Sequence, residues 1–324
     1  SGDGRANLKV EGELNQENGL KVENLKALGK VTLTDAVVKS AALPTPVEIN
    51  GEIYFNNTAI AIQQLTGKLD QSQIDIAGVL PIFDPQPNLE NPLQISIKPT
   101  QINLPTLYAG SLAGLITIEG AAFKPSITGD VQLSDGQIFL PNRAEASEPD
   151  QLAELRTKLG WFRPRRPNPL ISPKLDNLNI SLRNLYLEQD PLYEFSFGGD
   201  FKVSGPVLDF TALSADGAIQ LNRGRVSFFD TRFLLDRRSP NTIVFKPNQD
   251  LLNPDLNIAM RTIVSDLPQS ARMRSENANE YPDDSLNQIQ RVDIRLIIDG
   301  NLGQILPNLN PRYAAVCDLS LIHI

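Results

Sequence analysis

Apolar and polar residues alternate with period two along most of the chain. Leu8 and Val10, Ile53 and Phe55, Ile60 and Ile62, and Leu93, Ile95 and Ile97 each have polar or small residues between them. The same holds for Leu178, Ile180 and Leu182, for Tyr193, Phe195 and Phe197, and for Val292, Ile294 and Leu296. Successive side chains of a strand point to opposite faces, so each segment predicts a strand with one apolar and one polar face. Strands of this kind belong mostly to antiparallel sheets. Gly, Pro, Asn and Asp fall between the segments as turn formers.

Two short patterns recur. Apolar-x-apolar-x-Gly runs from Leu8 to Gly12, Ile74 to Gly78, Ile116 to Gly120, Phe201 to Gly205 and Leu296 to Gly300. The second is Gly-x-apolar-x-apolar, then two turn-like residues, a small residue and renewed alternation. It starts at Gly29, Gly51, Gly129 and Gly217. Asp135-Gly136 and Arg223-Gly224 within it sit where a tight hairpin or a bulge needs positive φ. Four copies in matching phase favour a repeating architecture, and their irregular starts argue against a strict solenoid period.

One segment breaks the pattern. Ser147-Glu148-Pro149-Asp150 resembles a capping box, and Leu152, Leu155 and Leu159 share one helical face. Gly160 ends the expected helix, and a basic, Pro-broken loop with Arg163, Arg165 and Arg166 follows. A polar stretch from Gln269 to Asn287 reads as a further loop. The expected organisation is a β region over 1–146, a helical and basic insertion over 147–172, a second β region over 173–312 and a tail over 313–324. The last six residues, Leu319 to Ile324, resemble the in-frame translation of a transposon-type sequencing adapter, so the tail is set aside as non-native. The N-terminus lacks an initiator Met, and both ends read as cut.

The 324 residues, 41% hydrophobic and 21% charged, are globular in composition. No run approaches the ~18 apolar residues that span a bilayer as a helix. A net charge of −8 argues against nucleic acid, which needs clustered Lys and Arg. With the tail set aside, its His323 and nearby Cys317 leave no histidine or cysteine for a Ser-His-Asp, Cys-His or Cys-based zinc site. Carboxylates sit mostly at turns and on polar strand faces, and Asp283-Asp284 lacks the spaced oxygen ligands of a calcium loop. No phosphate-cradling glycine loop opens a helix. The expectation is a chain with no catalytic residues, no metal and no cofactor, hence not an enzyme. The three arginines of the insertion are expected to be solvated, the alternative being contact with anionic headgroups or an acidic surface.

The stretch Gly199 to Pro307 carries a resemblance. It includes Gly199-Asp-Phe201-Lys-Val203-Ser-Gly205-Pro206, Gly217-Ala-Ile219-Gln-Leu221-Asn-Arg223-Gly224-Arg225-Val226, Asn241-Thr-Ile243-Val-Phe245, Asn253-Pro254-Asp255 and Val292-Asp-Ile294-Arg-Leu296-Ile-Ile298-Asp-Gly300. This succession resembles the C-terminal domain of the TamB family of translocation and assembly proteins, in the Asn/Gln/Pro-rich style of cyanobacterial members. The resemblance implies an all-β fold, an elongated, curved antiparallel sheet (β-taco or β-groove), here with one short inserted helix. It implies a periplasmic protein anchored in the inner membrane. The implied partners are an outer-membrane barrel of the BamA/TamA superfamily and either phospholipid acyl chains or unfolded outer-membrane protein strands. The implied role is outer-membrane biogenesis through a lipid or nascent-protein conduit.

A curved sheet with one apolar face must cover it with side chains, another sheet or a ligand. The residues expected to line the groove are Ile53, Phe55, Val131, Leu133, Ile138, Leu140, Ile219, Leu221, Val226 and Phe228. The alternative is that they form the ordinary core of a closed β-sandwich, as in a structural or adhesive surface protein. A carbohydrate-active β-helix is a third reading, and 6% aromatic content counts against it.

Overall fold

The alternating segments become strands. The computed structural model describes residues 3–15, 21–38, 46–69, 72–85, 89–104, 108–139, 171–209, 212–228, 231–247, 249–251, 253–266, 290–302 and 322–323. Their strands form one sixteen-stranded sheet. β1 (Asp3–Asn15), β2 (Lys21–Val38), β3 (Val47–Asn57), β4 (Ala59–Leu69), β5 (Ser72–Pro81), β6 (Leu93–Leu104), β7 (Tyr108–Ala121) and β8 (Lys124–Ile138) make an antiparallel meander in chain order. A second meander follows, of β9 (Lys174–Gln189), β10 (Tyr193–Pro206), β11 (Ser214–Phe228), β12 (Thr231–Leu235), β13 (Thr242–Phe245), β14 (Asp255–Asp266) and β15 (Gln290–Asn301), in which β12 and β13 each pair with β11 and β14 rather than with each other. The all-β expectation holds. Among the described residues there is no helical element, and the tail contributes β16 (Ile322–His323), which pairs with β15.

The two meanders join in parallel: β8 runs beside β9 with Val131 opposite Ile180 and Leu133 opposite Leu182. Among the described strand pairs this is the one parallel ladder, apart from an isolated parallel bridge between Val79 and Pro92. Antiparallel neighbours need only a hairpin, whereas parallel ones need the chain carried back along the strand. A 15-residue strand is roughly 50 Å long. The break read from the sequence falls in that connection, and the expected helix from Ser147 to Gly160 lies outside the described residues.

The four Gly-led copies have two outcomes. In the second copy the turn-like residues make a hairpin between β3 and β4, where the Ala59 N–H donates to Asn56 Oδ1 at 2.9 Å. In the other three they are bulges inside unbroken strands. Asp35 and Asp135 take φ of 48°, and on β11 the register slips at Asn222, between Arg223 opposite Ser196 and Leu221 opposite Phe197. On β9 the register slips at Arg183 and Asn184, the latter at φ 51°. The slips on β8, β9 and β11 line up across the sheet. Asn184 Nδ2 donates to Asp135 Oδ1 at 2.8 Å, tying two of them together. Each bulge adds an exposed residue, and a bulged strand bends and twists more strongly there.

Candidate functional site: a continuous apolar sheet face

Register carries the alternation across the sheet. One row joins Ile49, Gly67, Ile74, Ile97, Gly114, Val131, Ile180, Phe201, Gly217 and Phe245. The row beside it joins Leu112, Leu133, Leu182, Gly199, Ile219, Ile243, Leu256 and Gly300. Neither row contains Asp, Glu, Lys or Arg. The face is continuous because every strand brings the same phase to its neighbour, and the bulges preserve that phase.

Glycine recurs along these rows because large side chains from adjacent strands converge over it. Gly217 lies at φ 146° between Phe201 and Phe245. A Cβ there would lie 2.6 Å from Phe201 Cα and collide with the Asp200 carbonyl oxygen. The vacated space lets the rings of Phe201 and Phe245 stack at 5.2 Å, although β11 lies between them. Tyr108 does the same over Gly110 and Gly136, its hydroxyl donating to Ser111 O at 2.8 Å with Ser134 O at 3.1 Å. Burial pushes the phenols of Tyr108 and Tyr193 above their ordinary range, which keeps both neutral.

The face is covered unevenly. Leu185 and Met260 are enclosed within a cluster that includes Tyr108, Leu182, Phe197, Leu221 and Leu235. There the sheet's own side chains fill the space. At one end Leu213 packs with Val203 and Ala215, with Leu251 against them. In the first meander Ile62, Leu65, Leu80 and Leu93 form a further buried cluster, and between these clusters the apolar rows stay half-buried. The opposite face is polar and carries exposed ion pairs such as Arg183 with Asp200 at 2.7 Å. Such pairs contribute little individually.

Of the residues expected to line the groove, Ile53, Phe55, Val131, Leu133, Ile138, Ile219 and Val226 are half-buried, and Leu221 is buried. Register puts all eight on the same face. Phe228 closes β11 opposite Thr231, in phase with Val226. Leu140 lies outside the described residues, as do the arginines of the insertion, the polar stretch 269–287 and Asp283-Asp284.

Sequence reasoning missed Asn241, which is 2% exposed at φ 50°. Between β12 and β13 the chain leaves the ladder, and Asn241 patches the gap. Its Nδ2 donates to Asp236 O at 2.7 Å and Ser239 O at 3.0 Å, and its Oδ1 accepts from the Ala259 N–H at 3.0 Å. Its carbonyl accepts the Leu221 N–H at 2.9 Å. Asn tolerates left-handed φ and has both donor and acceptor, which this gap requires. Asp236-Arg-Arg-Ser-Pro-Asn241 holds turn-forming residue types, but nothing local marks the segment as buried.

Among the described residues no three His, Cys, Asp or Glu side chains converge as metal ligands. No described helix is long and apolar enough to cross a membrane, which says nothing of strands. The family model described as TamB C-terminal domain matches residues 63–311. A rice protein (Oryza sativa subsp. japonica), Protein SUBSTANDARD STARCH GRAIN 4, chloroplastic, is 20% identical over 116 residues, covering 35% of this chain and 5% of that protein. The chain thus spans only a small part of that relative's length. No solved structure matches.

Proposed function

The chain belongs to the TamB C-terminal domain family, and from that premise we propose that its apolar sheet face guides lipid acyl chains between membranes. The family is one of transport bridges, not known as enzymes, that span the periplasm from an inner-membrane anchor and work with an outer-membrane β-barrel partner, TamA. For this chain, a periplasmic setting, a role in outer-membrane biogenesis, a barrel of the BamA/TamA superfamily as partner and the lining roles of Ile53, Phe55, Val131, Leu133, Ile138, Leu140, Ile219, Leu221, Val226 and Phe228 all belong to the proposal.

One observation carries it. A charge-free apolar face continues from strand to strand and is half-covered over much of its length. Burying an acyl chain is favourable by roughly 0.8 kcal/mol per CH₂ and needs no fixed polar contact. Such a face therefore binds tails without selecting headgroups, which suits a conduit. Unfolded outer-membrane protein strands are the alternative cargo, since their apolar side chains fit the same surface.

The test is site-specific photocrosslinking with benzoylphenylalanine at Ile53, Leu133 and Ile219, against Glu52, Gln94 and Gln132 on the opposite face of the first meander. Lipid adducts at the first three and not at the others are expected. Protein adducts in place of lipid would favour the alternative cargo, and equal labelling of both faces would defeat the conduit.

A further inference from the structure

The polar face of the second meander holds a feature that the proposed conduit does not use. Arg223, Arg225, Arg237, Arg238 and Arg261 line one cleft of about 560 Å³ with Tyr186, Glu194, Ser196, Asn222, Leu234 and Asp236. Register explains the convergence. Tyr186, Ser196 and Arg223 form one cross-strand line, and Glu194, Arg225, Leu234, Arg261 and Arg295 form the next. Arg237 and Arg238 enter from the turn that Asn241 secures.

The charge is not balanced locally. Glu194 pairs with Arg225 at 3.1 Å, and Asp236 is engaged by Arg295 at 3.4 Å from outside the cleft. Among the described residues no carboxylate lies within ion-pair distance of Arg223, Arg237, Arg238 or Arg261. The Arg225 Nε is buried without a partner. This happens on a chain whose net charge is −8. Downstream of Lys202, Lys246 is the only lysine, and arginine supplies every other Lys or Arg position. Arginine's planar fork suits bidentate phosphate contacts in a way a lysine does not. Leu234, 53% exposed, and Tyr186, 41% exposed, stand among the arginines, and Ile263, 60% exposed, follows Arg261 on the same side of β14. Cations interleaved with exposed apolar side chains suit a lipid surface better than a soluble acidic chain.

We propose that this arginine cleft, on the face opposite the apolar rows, binds the phosphate group of an anionic lipid headgroup. The site is independent of whether the apolar face carries cargo. It would set how the sheet lies against a membrane, with its apolar face left free.

The test uses the 324-residue chain in flotation with vesicles of phosphatidylcholine alone or with phosphatidylglycerol, at low and high salt. Binding to the anionic vesicles that weakens with salt is expected. The variant R223Q/R237Q/R238Q/R261Q should lower it at least about tenfold, with unchanged circular dichroism. The charge-matched variant K26Q/K68Q/K124Q/K202Q should change it less than about twofold. Inorganic phosphate in the millimolar range separates the sources. If it competes, the phosphate group alone is recognised; if it does not, the intact headgroup is. Equal loss in both variants would overturn the site as mere net charge. Binding of polyglutamate without binding of anionic vesicles or phosphate would overturn it in favour of an acidic protein partner.

Discussion

β1–β2 and β9–β11 obey the same alternation and end in different environments. On β1, Leu8 is 37% exposed and Val10 59%, although both belong to the apolar phase. On β9, Leu185 is fully enclosed. The amphipathic pattern is as regular in one place as in the other. What differs is what stands beside and above the strand. β1 has a neighbour on one side only among the described strands, whereas β9 lies between β8 and β10. Beside the aligned bulges, Tyr108, Phe197, Leu221, Leu235 and Met260 from five other strands meet around Leu185. The pattern thus sets which way a side chain points, and the strands beside it set whether anything meets it there.

The strongest test of this contrast is a buried charge. Leu185→Asp should cost about 4 kcal/mol or more and leave little folded second meander, because an unpaired carboxylate would be enclosed. Val10→Asp should change stability by less than about 0.5 kcal/mol. Urea denaturation followed by circular dichroism compares the two, and similar midpoints would remove the distinction.

Asn241→Ala comes next. It strands the Ala259 N–H and the Asp236 carbonyl in a buried gap, for an expected loss of about 2–3 kcal/mol. Asn301→Ala, whose side chain bonds Asn253 O at 3.0 Å from a half-buried position, should cost less. Equal losses in thermal unfolding would show that the patch at Asn241 is not special.

Glycine substitution asks whether the same local strain has the same reach. Gly217→Ala and Gly29→Ala both force a Cβ into backbone at φ near 145°, at about 1–3 kcal/mol each. At Gly217 the strained residue sits between β10 and β13, so the loss should appear in global unfolding. At Gly29 the colliding atom is the Asn7 carbonyl oxygen of β1. β1 can detach there, so amide exchange should rise on β1 and β2 alone. Gly4→Ala, whose nearest contact is Leu33 Cδ2 at 3.8 Å, is the silent control.

The smallest expected effect is electrostatic. The Arg183 guanidinium and the Ser181 hydroxyl hold the Asp200 carboxyl below its usual value of 3.8. A folded pKa lower than the unfolded one stabilises above the unfolded value and is lost as pH falls through the folded one. Arg183→Gln should therefore flatten the acid limb only below about pH 4, slightly, because the pair is exposed. Titrating Asp200 by NMR in both proteins checks it, and an unshifted carboxyl in the parent would refute the coupling.

Much of the face was legible in the sequence. Period-two alternation picked out Ile53, Leu133 and Ile219 as in phase, because that phase is a property of each strand alone. The Gly-led repeats were legible as special backbone, but not as bulge against hairpin. Asn56 to Ala59 turns the chain, while Asp135 only slips it, and the difference lies in which strand stands alongside. Asn241 was hidden because its bonds reach from Asp236 to Ala259 and Leu221, a spread no local window contains.

The sequence by itself determined that this chain is all β, which residues share a side of each strand, and where backbone needs glycine. These follow from sterics and side-chain direction within a few residues. Tertiary structure alone decided that β8 and β9 run parallel, that bulges align across three strands, and that Phe201 meets Phe245 over Gly217. It also gathered five arginines from two strands and a turn into one cleft. Such features depend on register between distant segments, and register is settled by how whole faces pack rather than by any residue's own preference.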